Sequence, residues 1–389
     1  MNNFINRIEV QGYKCLLNES LSISNLNLFV GSNASGKSSF LQCILLLRQS
    51  LRSNRIHALH MSGPLFEGGL ASDILHPECN RKINLSIKTG VSNFTFEFEL
   101  DKSSDEGSSV RVLPAKENIY DFSDLWHLEI FTSNFLYLNA ERASPKVRYS
   151  LPTVEAHLAG ALGIHGEYTT AFLADASIKE HLVDNFDAIC ASLSSAALKF
   201  DGLNLESDLK NTGGRIDLIS NIILSWLIPG AKFKADKIND IDSSTLSFLR
   251  DNENTKTSVR ATHIGFGLTY LLPVIVGALL LKGGGILIVE NPEAHLHPFS
   301  QSRIGLFLAL MSTNKQIFIE THSDHVVNGI RLAVSAQYLE GNKLKTHFFK
   351  KPIDGTTAST EFIECDKDGY MDHWPEGFFD QIESDLAKL

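Results

Sequence analysis

Gly31-Ser-Asn-Ala-Ser-Gly36-Lys37-Ser38 is the stretch of this chain whose residue types most narrowly constrain its chemistry. It fits the spacing GxxxxGK[ST], directly after the apolar run NLNLFV and directly before the helically spaced SSFLQCILLLRQSLRS. Glycines let such a loop curl until successive backbone N–H groups face inward, and the helix start adds a partial positive charge, so the loop cradles phosphate. The motif places Lys37 on the β- and γ-phosphates of a nucleoside triphosphate, Ser38 on Mg²⁺ and Ser39 against the α-phosphate.

A loop of this kind needs a carboxylate at the end of a neighbouring hydrophobic strand to hold the hydrated metal. Ile286-Leu-Ile-Val-Glu290 supplies one, and the continuation ENPEAHLHP adds Glu293, where a water-activating base would sit. A second apolar run, QIFIETHS, ends at His322, whose imidazole N–H would sense the γ-phosphate. His295, His297, His322 and His325 have HxH and HxxH spacings that suit zinc, but no cysteine lies nearby and the carboxylates already serve Mg²⁺. Thr262-His-Ile-Gly265-Phe-Gly267-Leu-Thr269 precedes the apolar LTYLLPVIV and is either a second anion-binding helix start or an ordinary glycine cap.

These groups must be carried by a sizeable fold. The 389 residues, 43% hydrophobic, 21% charged and 9% aromatic, exclude a disordered or fibrous chain and a single small binding module. With 35 Lys+Arg against 45 Asp+Glu the net charge is -10, so contact with nucleic acid or a membrane surface has to be local. The five cysteines are scattered and the opening MNNFINRIEV is not an apolar leader, which fits the cytoplasm. Leu268 to Val289 approaches the length of a membrane span, yet Pro273, Lys282 and three glycines divide it into buried helix, turn and buried strand.

The chain opens with short β-like runs (INRIEV, LSISNLNLFV), and more follow between about Ile83 and Leu138, with the polar loop DKSSDEGSSV between two of them. From about Pro152 to Leu249 the apolar spacing turns helical, as in HLVDNFDAICASLSSAALKF and IDLISNIILSWLI. Beyond Thr262, strand runs alternate with helices, the pattern of a parallel sheet.

The order of phosphate loop, long insertion, glycine-rich helix start, strand ending in ENPE and strand ending in THS resembles the ABC-type ATPases of the RecF, SMC and OLD (overcoming lysogenization defect) kind. The loop form GxNxSGKS is characteristic of that group. YLNAER, HIGFG, ENPEAHLHP, ETHSDHVVNGIR and WPEGFFD (Trp374 to Asp380) are similar to stand-alone bacterial AAA-family, RecF-like ATPases, many of them in antiphage or mobile-element operons. The resemblance implies an α/β P-loop NTPase of ABC-ATPase type with an N-terminal antiparallel β portion and a helical insertion. Its expected domains are an ATPase lobe with Walker A (1–149), the helical insertion (150–255), and a second lobe with signature, Walker B and switch histidine (256–389). It implies ATP contacts from Gly31, Asn33, Ser35, Gly36, Lys37, Ser38 and Ser39, and from Lys14 in an aromatic-Lys pair with Tyr13. Gly265, Gly267 and Thr269 would contact ATP in trans, and Mg²⁺ would sit on Ser38 and Glu290. Glu290, Glu293 and His322 would be catalytic. The signature lacks the usual Ser-Gly-Gly core, no glutamine loop is visible, and Asn291 stands where relatives carry a carboxylate. Either Glu290 doubles as metal ligand and base, or Glu293 reaches the water. The second is favoured, because Mg²⁺ lowers the basicity of Glu290.

The resemblance leads to a slow, nucleotide-dependent dimeric or higher-order switch that controls a partner effector, such as a nuclease encoded nearby, in antiphage defence. The alternative is a RecF-like DNA-repair ATPase, with Arg48/Arg52/Arg55 and Arg142/Lys146/Arg148 as local basic stripes. An intrinsic OLD-type nuclease needs a further metal-binding domain, for which too few residues follow His322. Heptads for long coiled coils are absent as well.

Overall fold

The computed structural model describes residues 4–51, 58–99, 109–112, 128–152, 160–252, 255–351, 355–376 and 386–388. Arg52, Arg55, the 101–108 part of the polar loop and the 377–380 part of WPEGFFD lie outside the described residues. The chain divides into two compact units. Met1–Ser133, Gly341–Asp366 and Tyr370–Leu389 form the first, and Asn134–Glu340 with Lys367–Gly369 form the second.

In the first unit β1 (Ile5–Tyr13) and β2 (Leu16–Ser22) form a hairpin, turned at Lys14 with φ 48°. They belong to an antiparallel sheet with β4 (Ala58–His60), β5 (Lys82–Thr89), β6 (Asn93–Glu99) and β7 (Ser109–Val112), in the order β2-β1-β5-β6-β7-β4. This is the N-terminal antiparallel portion that the sequence predicts. Between these strands in the chain lie β3 (Leu26–Gly31), buried along most of its length, and α1 (Lys37–Ser50). Two strands from the far end of the chain, β15 (Leu344–Lys350) and β16 (Ser359–Ile363), complete the unit, β15 parallel to β3 and antiparallel to β16. Phe29, Phe40 and Phe349 pack together beneath the loop that links β3 to α1.

The second unit is built on three parallel strands, with β13 (Ile286–Glu290) between β8 (Phe135–Leu138) and β14 (Gln316–Glu320). All their residues are buried, as continuous apolar runs in a parallel sheet require. The helices are α2 (Thr169–Ala174), α3 (Phe186–Asp201), α4 (Glu206–Asn211), α5 (Ile216–Leu227), α6 (Phe266–Leu280), α7 (Pro298–Met311) and α8 (Asp324–Ser335). The long apolar stretch is helix α6, a glycine turn and strand β13. Among the described residues no helix is long and apolar enough to cross a membrane.

The stretch read as helical differs from that expectation near its end. Helices α2 to α5 are followed by an antiparallel sheet of β10 (Lys232–Ile238), β11 (Ser243–Asn252) and β12 (Thr255–Arg260), and β9 (Tyr149–Ser150) pairs with β11. The reason is local. Leu246 and Phe248 are buried two positions apart on β11, the two-residue period of a strand, Phe233 is buried opposite Phe248 on β10, and Asp242 takes the left-handed conformation (φ 43°) that reverses the chain into β11.

Candidate active site

The first unit holds the phosphate loop. Gly31 has φ 135°, and a Cβ there would stand 2.3 Å from the Phe349 carbonyl oxygen, so only glycine fits. Ala34 (φ 58°) and Gly36 (φ 107°) also take positive φ, the alternation that turns successive N–H groups to one side as an anion nest. Gly36 is the N-cap of α1, which begins at Lys37. Lys37 is buried, and its ammonium donates to the carbonyl oxygens of Gly31 at 3.0 Å and Ser32 at 2.7 Å, fixing the charge over the loop. Ser35 Oγ is fully buried and has no hydrogen-bond partner among the described residues, while Asn33 is exposed. Ser38 and Ser39 occupy the first turn of α1, and the Ser39 carbonyl accepts from Cys43 Sγ at 3.3 Å.

Lys14 reaches this helix. Its Nζ donates to Gln42 Oε1 at 2.7 Å and lies 5.0 Å from the centre of the Phe66 ring. Gln42 is four positions beyond Ser38, hence on the same helix face. Partial burial lowers the Lys14 pKa.

The second unit holds the carboxylates. Glu290 ends β13, where Tyr137 Oη donates to its Oε1 at 2.9 Å and the Ala140 N–H to its Oε2 at 3.3 Å. Arg142 donates from Nη2 to the Glu290 carbonyl at 2.5 Å and from Nη1 to the Asn291 carbonyl at 3.0 Å. Asn291 has φ 45°, and its N–H donates to the Glu320 carbonyl at 2.7 Å, so the chain turns sharply away from β13. That turn brings Glu293 to the end of β14, where Oε1 accepts the backbone N–H of His322 at 3.0 Å. Glu293 Oε2 is buried and makes no hydrogen bond of normal geometry among the described residues, although the Thr321 side chain interacts with the carboxyl group. Burial raises both carboxyl pKa values. The Tyr137 hydroxyl, the Ala140 amide and Arg142 oppose this at Glu290, and chiefly the His322 amide opposes it at Glu293. Arg142 is itself lowered to about 10 by burial, against the pull of Glu293 and Glu290.

Sequence reasoning therefore brings Glu290, Glu293 and His322 to one place, and it misses the roles of two residues that hold them. Tyr137 and Arg142 both lie in YLNAER, a run that the resemblance marks without giving either residue a role, and spacing alone puts Arg142 on a surface stripe. Arg142 is 2% exposed, so that stripe is reduced to the exposed Lys146 and Arg148. Arg48 is equally internal, donating to the carbonyls of Ile130 and Thr132, which removes the first residue of the other stripe. A further tie comes from Gln301 on α7, whose Oε1 accepts from Ser323 Oγ at 2.6 Å while its Nε2 donates to the Leu296 carbonyl at 2.9 Å.

The glycine-rich helix start also lies in the second unit. Gly265 caps α6, and a side chain there would meet nothing within 4 Å. Gly267 differs, because a Cβ would stand 2.7 Å from the His295 carbonyl oxygen. Its glycine thus serves close packing against the turn after β13. Thr269 is buried, with its hydroxyl on the Phe266 carbonyl at 2.9 Å. His295 packs on the rings of Phe266 and Tyr270, and His297 caps α7 by accepting the Phe299 N–H. Among the described residues no group of three or more His, Cys, Asp or Glu is placed to hold a metal ion.

Residues 26–328 match the family AAA_21, described as "AAA domain, putative AbiEii toxin, Type IV TA system", and residues 339–389 match DUF3696, described as a protein of unknown function. Among curated proteins none matches. Among solved structures, the Smc head domain with an extended coiled coil bound to the C-terminal domain of ScpA, from Pyrococcus furiosus, is similar over 99% of both chains, with 13% identity and a TM-score of 0.52. That likeness is one of fold. The SmcHead bound to the C-winged helix domain of ScpA is similar over 93% of this chain and 98% of its own, at 15% identity and a TM-score of 0.49. The SMC head domain from Thermotoga maritima covers 92% and 99%, at 11% identity and a TM-score of 0.43.

Proposed function

We propose, from the premise that this chain belongs to the AAA_21 family and is a P-loop ATPase of the AAA and SMC-head type, that it is a slow ATP-hydrolysing switch. The observation that carries the reading is the set around Lys37. Three positive-φ residues form the nest, the ammonium is pinned on two loop carbonyls, and the buried Ser35 hydroxyl has no partner of its own among the described residues. A nest with a fixed cation and an unsatisfied hydroxyl suits the oxygens of a polyphosphate.

Gly31 to Ser39 would bind the phosphates, Lys14 would add charge beside α1, and Ser38 and Glu290 would hold Mg²⁺. When bound, Mg²⁺ offsets the charge on the phosphate oxygens. Glu290 uses both carboxylate oxygens on Tyr137 and Ala140, which suits a group that orients rather than accepts protons. Glu293 keeps one oxygen outside any well-formed hydrogen bond and has a raised pKa, which suits a general base. His322, whose amide holds Glu293, would sense the γ-phosphate through its exposed imidazole. Gly265, with open space around it, is the signature residue best suited to meet ATP on a second copy.

The output of the switch would lie in another chain. The family description names a toxin of a toxin–antitoxin system, which supports a role in defence, and the Smc head with an extended coiled coil was solved with a bound ScpA domain, which supports a partner protein. The scattered cysteines support the cytoplasm. A nearby nuclease as that partner, and dimer or higher-order assembly, rest on the family resemblance. The RecF-like DNA reading loses support from the burial of Arg48 and Arg142.

The test is Lys37→Ala. The variant should lose ATP binding by about thirtyfold or more, the worth of charge-assisted contacts to phosphate. Wild-type nucleotide affinity in a folded Lys37→Ala variant would overturn the assignment.

A further inference from the structure

Both carboxylate oxygens of Glu290 are held by one short stretch, Tyr137 to Ala140, at the end of β8. The next residue but one, Arg142, holds the carbonyls of Glu290 and Asn291. We propose that Tyr137 and Arg142 are positioning residues for hydrolysis, a clamp on β8 that keeps Glu290 in one orientation and sets the turn that delivers Glu293. The proposal rests on the roles assigned above to those two carboxylates.

The pairing register makes the clamp possible. β8 runs parallel to β13, with Tyr137 opposite Ile288 and Leu138 opposite Val289. The residues just past Leu138 therefore run beside the end of β13, where Glu290 and the Asn291 turn stand. Tyr137 is almost fully buried, so its hydroxyl needs a partner, and Glu290 Oε1 supplies one.

Arg142 is informative for what it lacks. Its Nε is buried with no hydrogen-bond partner among the described residues, and its two hydrogen bonds run to neutral carbonyls. Enclosing a guanidinium is costly, and a neutral donor such as glutamine would hold two carbonyls at lower cost. The charge itself is spent on Glu290 and Glu293, both near enough to interact with it electrostatically. By fixing carbonyls on both sides of the Asn291 Cα, the planar fork also holds a non-glycine residue in its left-handed conformation. A clamp of this form fixes two carboxylates through one strand. A surface contact for DNA would need Arg142 exposed, which it is not.

The experiment uses the full chain and two conservative variants, Tyr137→Phe and Arg142→Lys, beside wild type and Lys37→Ala. Tyr137→Phe keeps the ring and removes only the donor. The readouts are the Mg²⁺ concentration giving half of the melting-temperature shift with a non-hydrolysable ATP analogue, and kcat and KM for ATP. Tyr137→Phe should raise the Mg²⁺ half-point and lower kcat, each about tenfold, with KM within about twofold and the nucleotide-free melting temperature within about 3 °C. Arg142→Lys should lower kcat by a similar factor, because an ammonium cannot span both carbonyls. A wild-type Mg²⁺ half-point and kcat in Tyr137→Phe, with Lys37→Ala still inactive, would refute the clamp and leave the ATPase reading standing. A lowered melting temperature with an unchanged half-point and kcat would also refute it, since that is what packing alone produces. Wild-type protein that neither hydrolyses ATP nor shifts with Mg²⁺ and the analogue would refute both.

Discussion

The backbone amide of His322 donates to a carboxylate oxygen of Glu293 at 3.0 Å, tying the chain after β14 to the turn after β13. With Ser323 linked to Leu296 through Gln301, the two loops are joined at two points. Movement of the His322 segment therefore carries the carboxylate with it, and a group that senses nucleotide would move the group that spends it.

Glu293→Gln should lower the steady-state hydrolysis rate by a factor of about 100 or more while ATP binding persists, because the amide still accepts from His322 and cannot accept a proton. Glu290→Gln should instead weaken Mg²⁺-dependent binding as well. Equal hydrolysis by Glu293→Gln and wild type in a phosphate-release assay would return the base to Glu290.

Gly265→Asp should prevent ATP-dependent mass increase in light scattering without altering the melting temperature, since a side chain there meets nothing. Gly267→Ala should destabilise by about 1 to 3 kcal/mol, because its methyl would press on the His295 carbonyl 2.7 Å away. An unchanged melting temperature for Gly267→Ala would contradict the close packing.

His347 donates to the Ser22 carbonyl at 2.8 Å between the rings of Phe29 and Phe362, and burial lowers its pKa to about 4, with Lys345 adding to the effect. A histidine lowered on folding contributes stability that is complete above its unfolded pKa of about 6.5 and is lost as the pH falls towards 4. Its share is on the order of 3 kcal/mol. Denaturant titrations at pH 7, 6, 5 and 4 should show this loss, and His347→Gln, which retains a donor, should flatten it. Parallel curves would assign the acid loss to other groups.

DNA affinity should be weak and electrostatic. With Arg48 and Arg142 internal, raising salt from about 50 to about 200 mM should abolish any binding seen by fluorescence anisotropy. Tight, salt-resistant binding would reinstate the repair reading.

The parts of the site that were legible in the sequence are those whose chemistry is local. Gly31, Gly36 and Lys37 lie within seven residues because the nest is one turn of chain, and Glu290 and Glu293 announce themselves at the end of an apolar strand. Tyr137 and Arg142 bound the run YLNAER, yet their roles are hidden because their partners lie 153 and 148 positions away, a pairing that strand order creates and local pattern does not. Arg142 and Arg48 read as surface charge for the same reason. The sheet of β10 to β12 is hard to read locally because the strong helical spacing of Ile216–Leu227 lies just before it, and only the alternation of Leu246 and Phe248 marks the change.

The separation between Arg142 and its carbonyl partners also sets a timetable for synthesis. The phosphate loop and β8 are complete in the first 142 residues, whereas Glu290, Asn291 and the His322 amide emerge roughly 150 to 180 residues later. At about 5 to 20 residues per second that interval is on the order of ten to thirty seconds. Until it ends, the Arg142 guanidinium has no carbonyls to hold and the second half-site does not exist. A nascent chain thus carries its phosphate loop well before it carries the carboxylates proposed for hydrolysis, and catalytic competence would arrive late in translation.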